Sequence, residues 1–122
     1  MRDEWFIRGR VPMTKSEVRA VSIARLELTK DCVLYDVGAG TGSVSIEAAL
    51  QVPGGEVFAV EQNPEAVDLI CQNRKRFCAD NVRVIQGRAP EALDGLPLPS
   101  HVFLGGTGGR MEEIVTGLLE KN

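Results

Sequence analysis

The sequence predicts an α/β fold of the Rossmann-like kind, a mostly parallel sheet with helices on both faces. Three observations carry this expectation. Apolar periodicity switches repeatedly between strand-like runs and helix-like stripes. Short apolar runs at Val33 to Val37 and Glu56 to Glu61 end in turn-forming residues, and a glycine-rich segment, Gly38 to Gly42, lies where the first of them gives way to a helical pattern. Strands that alternate with helices are joined by right-handed crossovers, which place the strands parallel.

Size and composition are consistent with such a domain. The 122 residues, 43% hydrophobic and 25% charged, suffice for one modest core without disulfides. Their formal charge of -3 gives no overall attraction to nucleic acid. No run approaches the roughly 18 apolar residues of a membrane span, and the first residues lack the plan of a signal peptide, so the expected location is cytoplasmic with no membrane partner. Cys32, Cys71 and Cys78 are odd in number and form no Cys-x-x-Cys pair, which argues against a disulfide framework or a zinc site. Cys71 and Cys78 are expected to face the core from one helix. No metal site is expected.

Residues 1–13 read as an N-terminal arm and 14–122 as the Rossmann-like domain. Thr14 and Glu17 have capping-box spacing, so a helix is expected to open there, with Val18, Val21, the stem of Arg25 and Leu28 on its apolar face. Val33 to Val37 reads as a strand buried on both faces, and Ser43 to Leu50 as the helix after it. Glu56 to Glu61 is the second strand. Asn63 followed by Pro64 then gives an N-cap with proline at the first helical position, opening a helix whose apolar side is Val67, Ile70, Cys71, Arg74 and Phe77. A third strand is expected at Val82 to Gln86, a short helix at Pro90 to Leu93, and a fourth strand at His101 to Leu104. Met111, Ile114, Val115, Leu118 and Leu119 mark a last amphipathic helix.

The chemistry concentrates at the strand ends. Asp36-Val37-Gly38-Ala39-Gly40-Thr41-Gly42 turns a strand into a helix, where glycines admit a ligand to backbone distance and the helix N-terminus offers free N–H groups. The dehydrogenase pattern G-x-G-x-x-G is not met, because its third glycine is Ser43 here. Glu61 ends the second strand about 20 residues further on, the place where a carboxylate accepts from both hydroxyls of a ribose. The fourth strand runs into Gly105-Gly106-Thr107-Gly108-Gly109, a floor almost without side chains on which a broad, flat substrate can approach. Arg8, Arg10, Lys15 and Arg19 gather near Thr14, and arginine forks suit carboxylates. The tight cluster Arg74-Lys75-Arg76 reads as a solvated helix surface, and His101, the one histidine, receives no role.

Gly-x-Gly-x-Gly after an acidic strand end resembles motif I of the class I S-adenosylmethionine methyltransferases. The resemblance implies a three-layer sandwich with Asp36 near the ammonium or sulfonium side of the cofactor, and the adenine packed at Gly87-Arg88-Ala89-Pro90. Family members often carry an acidic residue where this chain has Arg88, which leaves the backbone at Ala89 as the contact. More specifically, the chain resembles the decarboxylating precorrin-6B/cobalt-precorrin-6B C15-methyltransferases of cobalamin biosynthesis. The matching segments are Val11 to Lys15 with Glu17 to Arg19, Asp36 to Glu47, Glu61 with Asn63-Pro64, Ala89-Pro90, and Gly105 to Gly109.

That resemblance implies S-adenosylmethionine as cofactor, held by Thr14, Asp36, Gly38, Ala39, Gly40, Thr41, Gly42, Glu61 and Ala89. It implies a tetrapyrrole substrate, a corrin precursor whose carboxylates meet Arg8, Arg10, Lys15 and Arg19 above the floor at Gly105, Gly106, Thr107 and Gly108. It further implies C15 methylation with loss of the C12 acetate carboxyl, and a homotetramer. No catalytic residue is assigned, and C5 methylation by a partner is left open. Class I enzymes have seven strands and this sequence supplies four, so the fold is expected to be truncated after the helix that follows the fourth. Two other readings stand beside this one: a class I methyltransferase for another small-molecule, protein or RNA substrate, and a non-catalytic nucleotide-binding module.

Overall fold

The computed structural model describes residues 1–121. Its regular elements are α1 (Ser16–Leu26), β1 (Val33–Val37), α2 (Ser43–Gln51), β2 (Glu56–Glu61), α3 (Pro64–Arg76), β3 (Val82–Gln86), β4 (His101–Leu104) and α4 (Met111–Glu120), with 3-10 turns at Asp3–Trp5 and Glu91–Leu93. All four strands are parallel, in the order β3-β2-β1-β4. In-register pairs such as Asp36 with Ala59 and Phe103 align the strand ends.

Alternation along each strand sorts the side chains into two layers. Leu34, Val57, Ala59 and Val82 face Ile46, Ala48 and Ile70 in one cluster, which Phe6 of the N-terminal arm completes. Tyr35, Val37, Phe58 and Val60 face the opposite way, onto Leu93 and Ile114. A helical layer therefore covers each face, α1 to α3 on one side and α4 with the Glu91–Leu93 turn on the other. β4, one of the two edge strands with β3, is only half-buried along its length.

The order matters for the site. From β1 the chain winds outward to β2 and β3, then returns past β1 to add β4 on its other side. The carboxyl ends of β1 and β4 thus flank the point where the winding reverses, where α/β sheets open a crevice.

Three expectations are corrected here. The first helix has Lys15 at its N-cap, extended at φ -64 and ψ 151 with no side-chain cap, and not Thr14. The Thr14 carbonyl instead accepts from Arg19 Nη1, so the arginine fixes the entry of the chain into the helix. The inward face of α1 is Arg19 and Ile23; Val18 and Val21 are more than half exposed and Arg25 is exposed. On α3 the buried residues are Ala66, Leu69, Ile70 and Asn73, which turns Cys71 outward, and Cys78 beyond the helix end is exposed as well. The stripe Ala66, Leu69, Ile70, Asn73 is itself an i, i+3, i+4, i+7 pattern, with one polar member that reads as solvent-facing in sequence.

Asn63 caps α3 as expected, its side chain accepting from Glu65 N at 3.0 Å with Pro64 at the first position. On α4 only Ile114 is fully buried; Met111, Val115 and Leu119 stand exposed.

Candidate functional site

β1 delivers Asp36 and then Gly38, and the turn that follows is possible only with glycine at its first corner. Gly38 has φ +74, and a Cβ there would lie 2.3 Å from the Gly106 carbonyl oxygen. The two glycine-rich segments, one after β1 and one after β4, therefore touch backbone to backbone. Gly105 and Gly106 also both donate to the Val37 carbonyl, at 2.9 and 3.1 Å.

The opening of α2 leaves a backbone donor at the crevice. Gly38 and Ala39 donate to the Val60 carbonyl and Gly42 to that of Ala39, whereas the N–H of Thr41 has no backbone acceptor among the described residues. Gly40 donates to Glu61 Oε1 at 2.8 Å, and Asn63 donates to Glu61 Oε2 at 3.0 Å. Glu61 thus joins the end of β2 to the glycine turn with both oxygens. Behind the turn, the buried Asn73 amide donates to the Thr41 and Ile7 carbonyls, locking loop, helix and N-terminal arm together.

Two cavities open on either side of Gly38 and Glu61, and both of these residues line both. The larger, about 410 Å³, runs from Pro12, Met13 and Thr14 past Asp36, Ala39, Gly40 and Thr41 to Gly105. The smaller, about 160 Å³, lies between Gly87, Arg88 and Ala89 on one wall and Gly106, Thr107 and Gly108 on the other. The pair forms one cleft on the scale of small-molecule sites, which span about 300–1,000 Å³.

Two observations describe what this cleft is built to receive. Thr41 Oγ1 is buried without a hydrogen-bond partner, an arrangement that native interiors seldom leave uncompensated. Among the described residues, the acidic groups lining the cavities are Asp36 and Glu61, and the one cation is the exposed Arg88. Asp36 is fully buried and accepts from Ser45 Oγ at 2.6 Å; burial raises its carboxyl to about 6, against the lowering effect of the Ser45 hydrogen bonds. Such a lining suits a ligand with a cationic centre and hydroxyls, and it disfavours a pyrophosphate.

Of the residues singled out from sequence, the structure brings Thr14, Asp36, Gly38, Ala39, Gly40, Thr41, Glu61 and Gly105 to the larger cavity. Ala89, Gly106, Thr107 and Gly108 line the smaller. Gly42 lies outside the lining: it is buried at φ +83, and a Cβ on it would meet Ile70 at 3.1 Å, so the packing of α2 on α3 by itself calls for glycine there. Arg19 is likewise corrected. It has no exposed surface and donates to Glu47 Oε1 at 3.3 Å, to the Met1 carbonyl at 2.6 Å and to Asp3 Oδ1 at 3.1 Å, so its charge is consumed inside the fold. Arg8, Arg10 and Lys15 are exposed, none pairs with a described carboxylate, and they flank in sequence the Val11 to Thr14 wall of the larger cavity.

Sequence reasoning missed Gln62 on the smaller cavity and Asn73 behind the loop. Gln62 follows the acidic strand end, which was a usable signal. Asn73 gave none, because its partners Ile7 and Thr41 are far away in sequence. Among the described residues no cluster of His, Cys, Asp and Glu could hold a metal ion, and no helix is long and apolar enough to cross a membrane.

Comparison with known proteins places this geometry. A family model described as a precorrin methyltransferase domain matches residues 4–121. The cobalt-precorrin-6B C(15)-methyltransferase (decarboxylating) of Salmonella typhimurium is 49% identical over 94% of this chain and 59% of its own length. A precorrin-6y C5,15-methyltransferase from Geobacter metallireducens superposes with a TM-score of 0.93 at 46% identity, covering 97% of this chain and 62% of that one. A precorrin 8W decarboxylase from Methanobacterium thermoautotrophicum gives 0.91 at 37% identity, over 99% and 66%. The chain thus spans about three-fifths of the length of the curated relatives it matches. A more distant RNA methyltransferase from Salinibacter ruber, solved in complex with S-adenosyl-L-homocysteine, is 30% identical with a TM-score of 0.58, over 62% of this chain and 50% of that one.

Proposed function

Because the chain belongs to the precorrin methyltransferase family, we propose that its cleft binds S-adenosylmethionine and serves C15 methylation of a corrin precursor, with decarboxylation of the C12 acetate of (cobalt-)precorrin-6B, in cobalamin biosynthesis. The observation that carries this reading is the cleft divided by Gly38 and Glu61, acidic and glycine-lined, at the reversal point of the sheet. The names of the Salmonella and Geobacter relatives support the substrate class. The S-adenosyl-L-homocysteine complex of the Salinibacter relative supports the cofactor.

In this reading Glu61 accepts from the ribose hydroxyls, and the backbone at Ala89 with Gly87 and Thr107 encloses the base. Thr14, Ala39, Gly40 and the Thr41 hydroxyl receive the amino-acid tail, with Asp36 beneath its ammonium. When bound, S-adenosylmethionine supplies a methyl group activated by its sulfonium. Gly105 and Gly106 leave the approach to that methyl free of side chains, and Arg8, Arg10 and Lys15 hold substrate carboxylates at the rim. Methyl transfer is an in-line displacement, for which holding two reactants in line supplies much of the rate. If the carbon nucleophile comes from the electron-rich macrocycle or from loss of carbon dioxide, no strong protein base is needed, consistent with a cleft without a catalytic dyad.

The proposal also comprises residues 14–122 as the cofactor domain with 1–13 as an arm, a homotetramer in solution, a cytoplasmic location, and C5 methylation left to a partner. The test is incubation with S-adenosylmethionine and precorrin-6B, with and without cobalt, followed by mass spectrometry. Gain of a methyl group together with loss of carbon dioxide is expected. Neither change with either substrate would overturn the substrate assignment.

A further inference from the structure

Between β4 and α4 the chain runs Gly105-Gly106-Thr107-Gly108-Gly109, and it forms one wall of the smaller cavity. Four glycines give this segment a large conformational freedom to lose. Its near end is fixed by the bonds of Gly105 and Gly106 to Val37. Packing does little for its far end, since a Cβ on Gly109 would meet no heavy atom within 4 Å.

The side chain of Arg110, next after Gly109, ties that far end to the opposite wall. Arg110 donates through Nη1 to Glu91 Oε2 at 2.9 Å and through Nη2 to Glu91 Oε1 at 2.6 Å, a fork-to-fork pair. Its Nε and Nη2 also reach Glu113 Oε2, at 2.9 and 2.7 Å, which orients the guanidinium from its own helix. Glu91 opens the 3-10 turn that Pro90 joins to Gly87, Arg88 and Ala89, the opposite wall of the same cavity. The Arg110 hydrogen bonds hold the Glu91 carboxyl down at about 2, so the pair stays ionised at ordinary pH.

We propose that Arg110 and Glu91 form a clasp that joins the two walls of the smaller cavity and positions the glycine-rich segment for ligand binding. Both act as positioning residues. An exposed ion pair adds little to global stability, so the effect of this one is local: it orders in advance a segment that ligand binding would otherwise have to order. The inference rests on the proposed reading of the smaller cavity as the nucleoside end of the cleft.

The experiment measures S-adenosylhomocysteine binding by calorimetry for the wild type, Arg110→Gln, Glu91→Gln and the double variant, with amide hydrogen exchange at residues 105–110 of the ligand-free proteins. Each single change is expected to weaken binding about 5- to 10-fold, the loss that ordering one loop segment implies. The double variant should be no worse than the singles, the melting temperature should hold, and exchange in the segment should accelerate. Wild-type affinity in Arg110→Gln, or exchange unchanged from the wild type, overturns the clasp. If the wild type does not bind the probe, the reading of the cleft fails instead, and the exchange rates alone still decide whether the pair holds the segment.

Discussion

Asp36→Asn isolates the electrostatic cost of the acid that this cleft keeps inside. The carboxyl is fully buried and its protonation midpoint lies at about 6, against 3.8 for a free aspartate. Between those values the folded chain still holds a proton that the unfolded chain has released, so stability falls as pH rises through the window and levels off above about 6. At about 1.36 kcal/mol per pH unit, the wild type is predicted to lose about 3 kcal/mol between pH 3.8 and 7 through this group. Asparagine cannot ionise, so the variant lacks this decline. It also sets an amide donor against one of the two Ser45 donors, a pH-independent cost of about 1–3 kcal/mol. The readout is therefore the difference between the two proteins as a function of pH, taken from urea unfolding at several values from 4 to 8. The wild-type curve should fall toward that of the variant as pH rises, and past it if the amide cost is below about 3 kcal/mol; parallel curves would refute the reasoning. In the proposed site the ammonium of the ligand favours ionised Asp36, so wild-type affinity should also strengthen as pH rises through about 6, and that trend should vanish in Asp36→Asn.

Two further substitutions probe the frame around the cleft. Gly38→Ala forces a left-handed φ of +74 on alanine, costing about 1–2 kcal/mol, and drives a methyl to 2.3 Å from the Gly106 oxygen. It should lower stability by about 2–4 kcal/mol in all and abolish ligand binding by pushing the two glycine segments apart; binding at wild-type strength in calorimetry would show that their contact is dispensable. Glu47→Gln leaves the buried Arg19 guanidinium without its charged partner on α2 and is expected to cost about 3–5 kcal/mol in urea unfolding. A loss below about 1 kcal/mol, the worth of an exposed pair, would mean that Asp3 and the backbone carbonyls suffice.

What the sequence made legible were features with local causes. The four strands, the glycine turn, Glu61 and the Asn63-Pro64 cap each follow from residues within a few positions of one another, and the structure has all of them. The helix α1 was misread because its apolar pair, Val18 and Val21, points outward while Arg19 points in; an arginine enters a core only when distant partners accept its charge, and Glu47 lies on another helix. The outward cysteines follow from the same blindness, since the inward stripe of α3 includes Asn73, whose amide is satisfied by Ile7 and Thr41. Gly42 was assigned to the ligand through the family motif; its φ of +83 and the approach of Ile70 already call for glycine there, a requirement that spacing in sequence does not reveal. The clasp between Arg110 and Glu91 was equally invisible, because the fork depends on how α4 docks.

The central claim is that this cleft is a site for S-adenosylmethionine and not for a dinucleotide. Titration calorimetry of the protein with S-adenosylmethionine and with NAD, repeated on Glu61→Gln, tests it most directly. Saturable binding of S-adenosylmethionine, no binding of NAD, and a loss of about 10-fold or more in Glu61→Gln are predicted, the last because charge-assisted hydrogen bonds contribute about 1.5–3 kcal/mol. Binding of NAD alone, or of neither ligand, would contradict it.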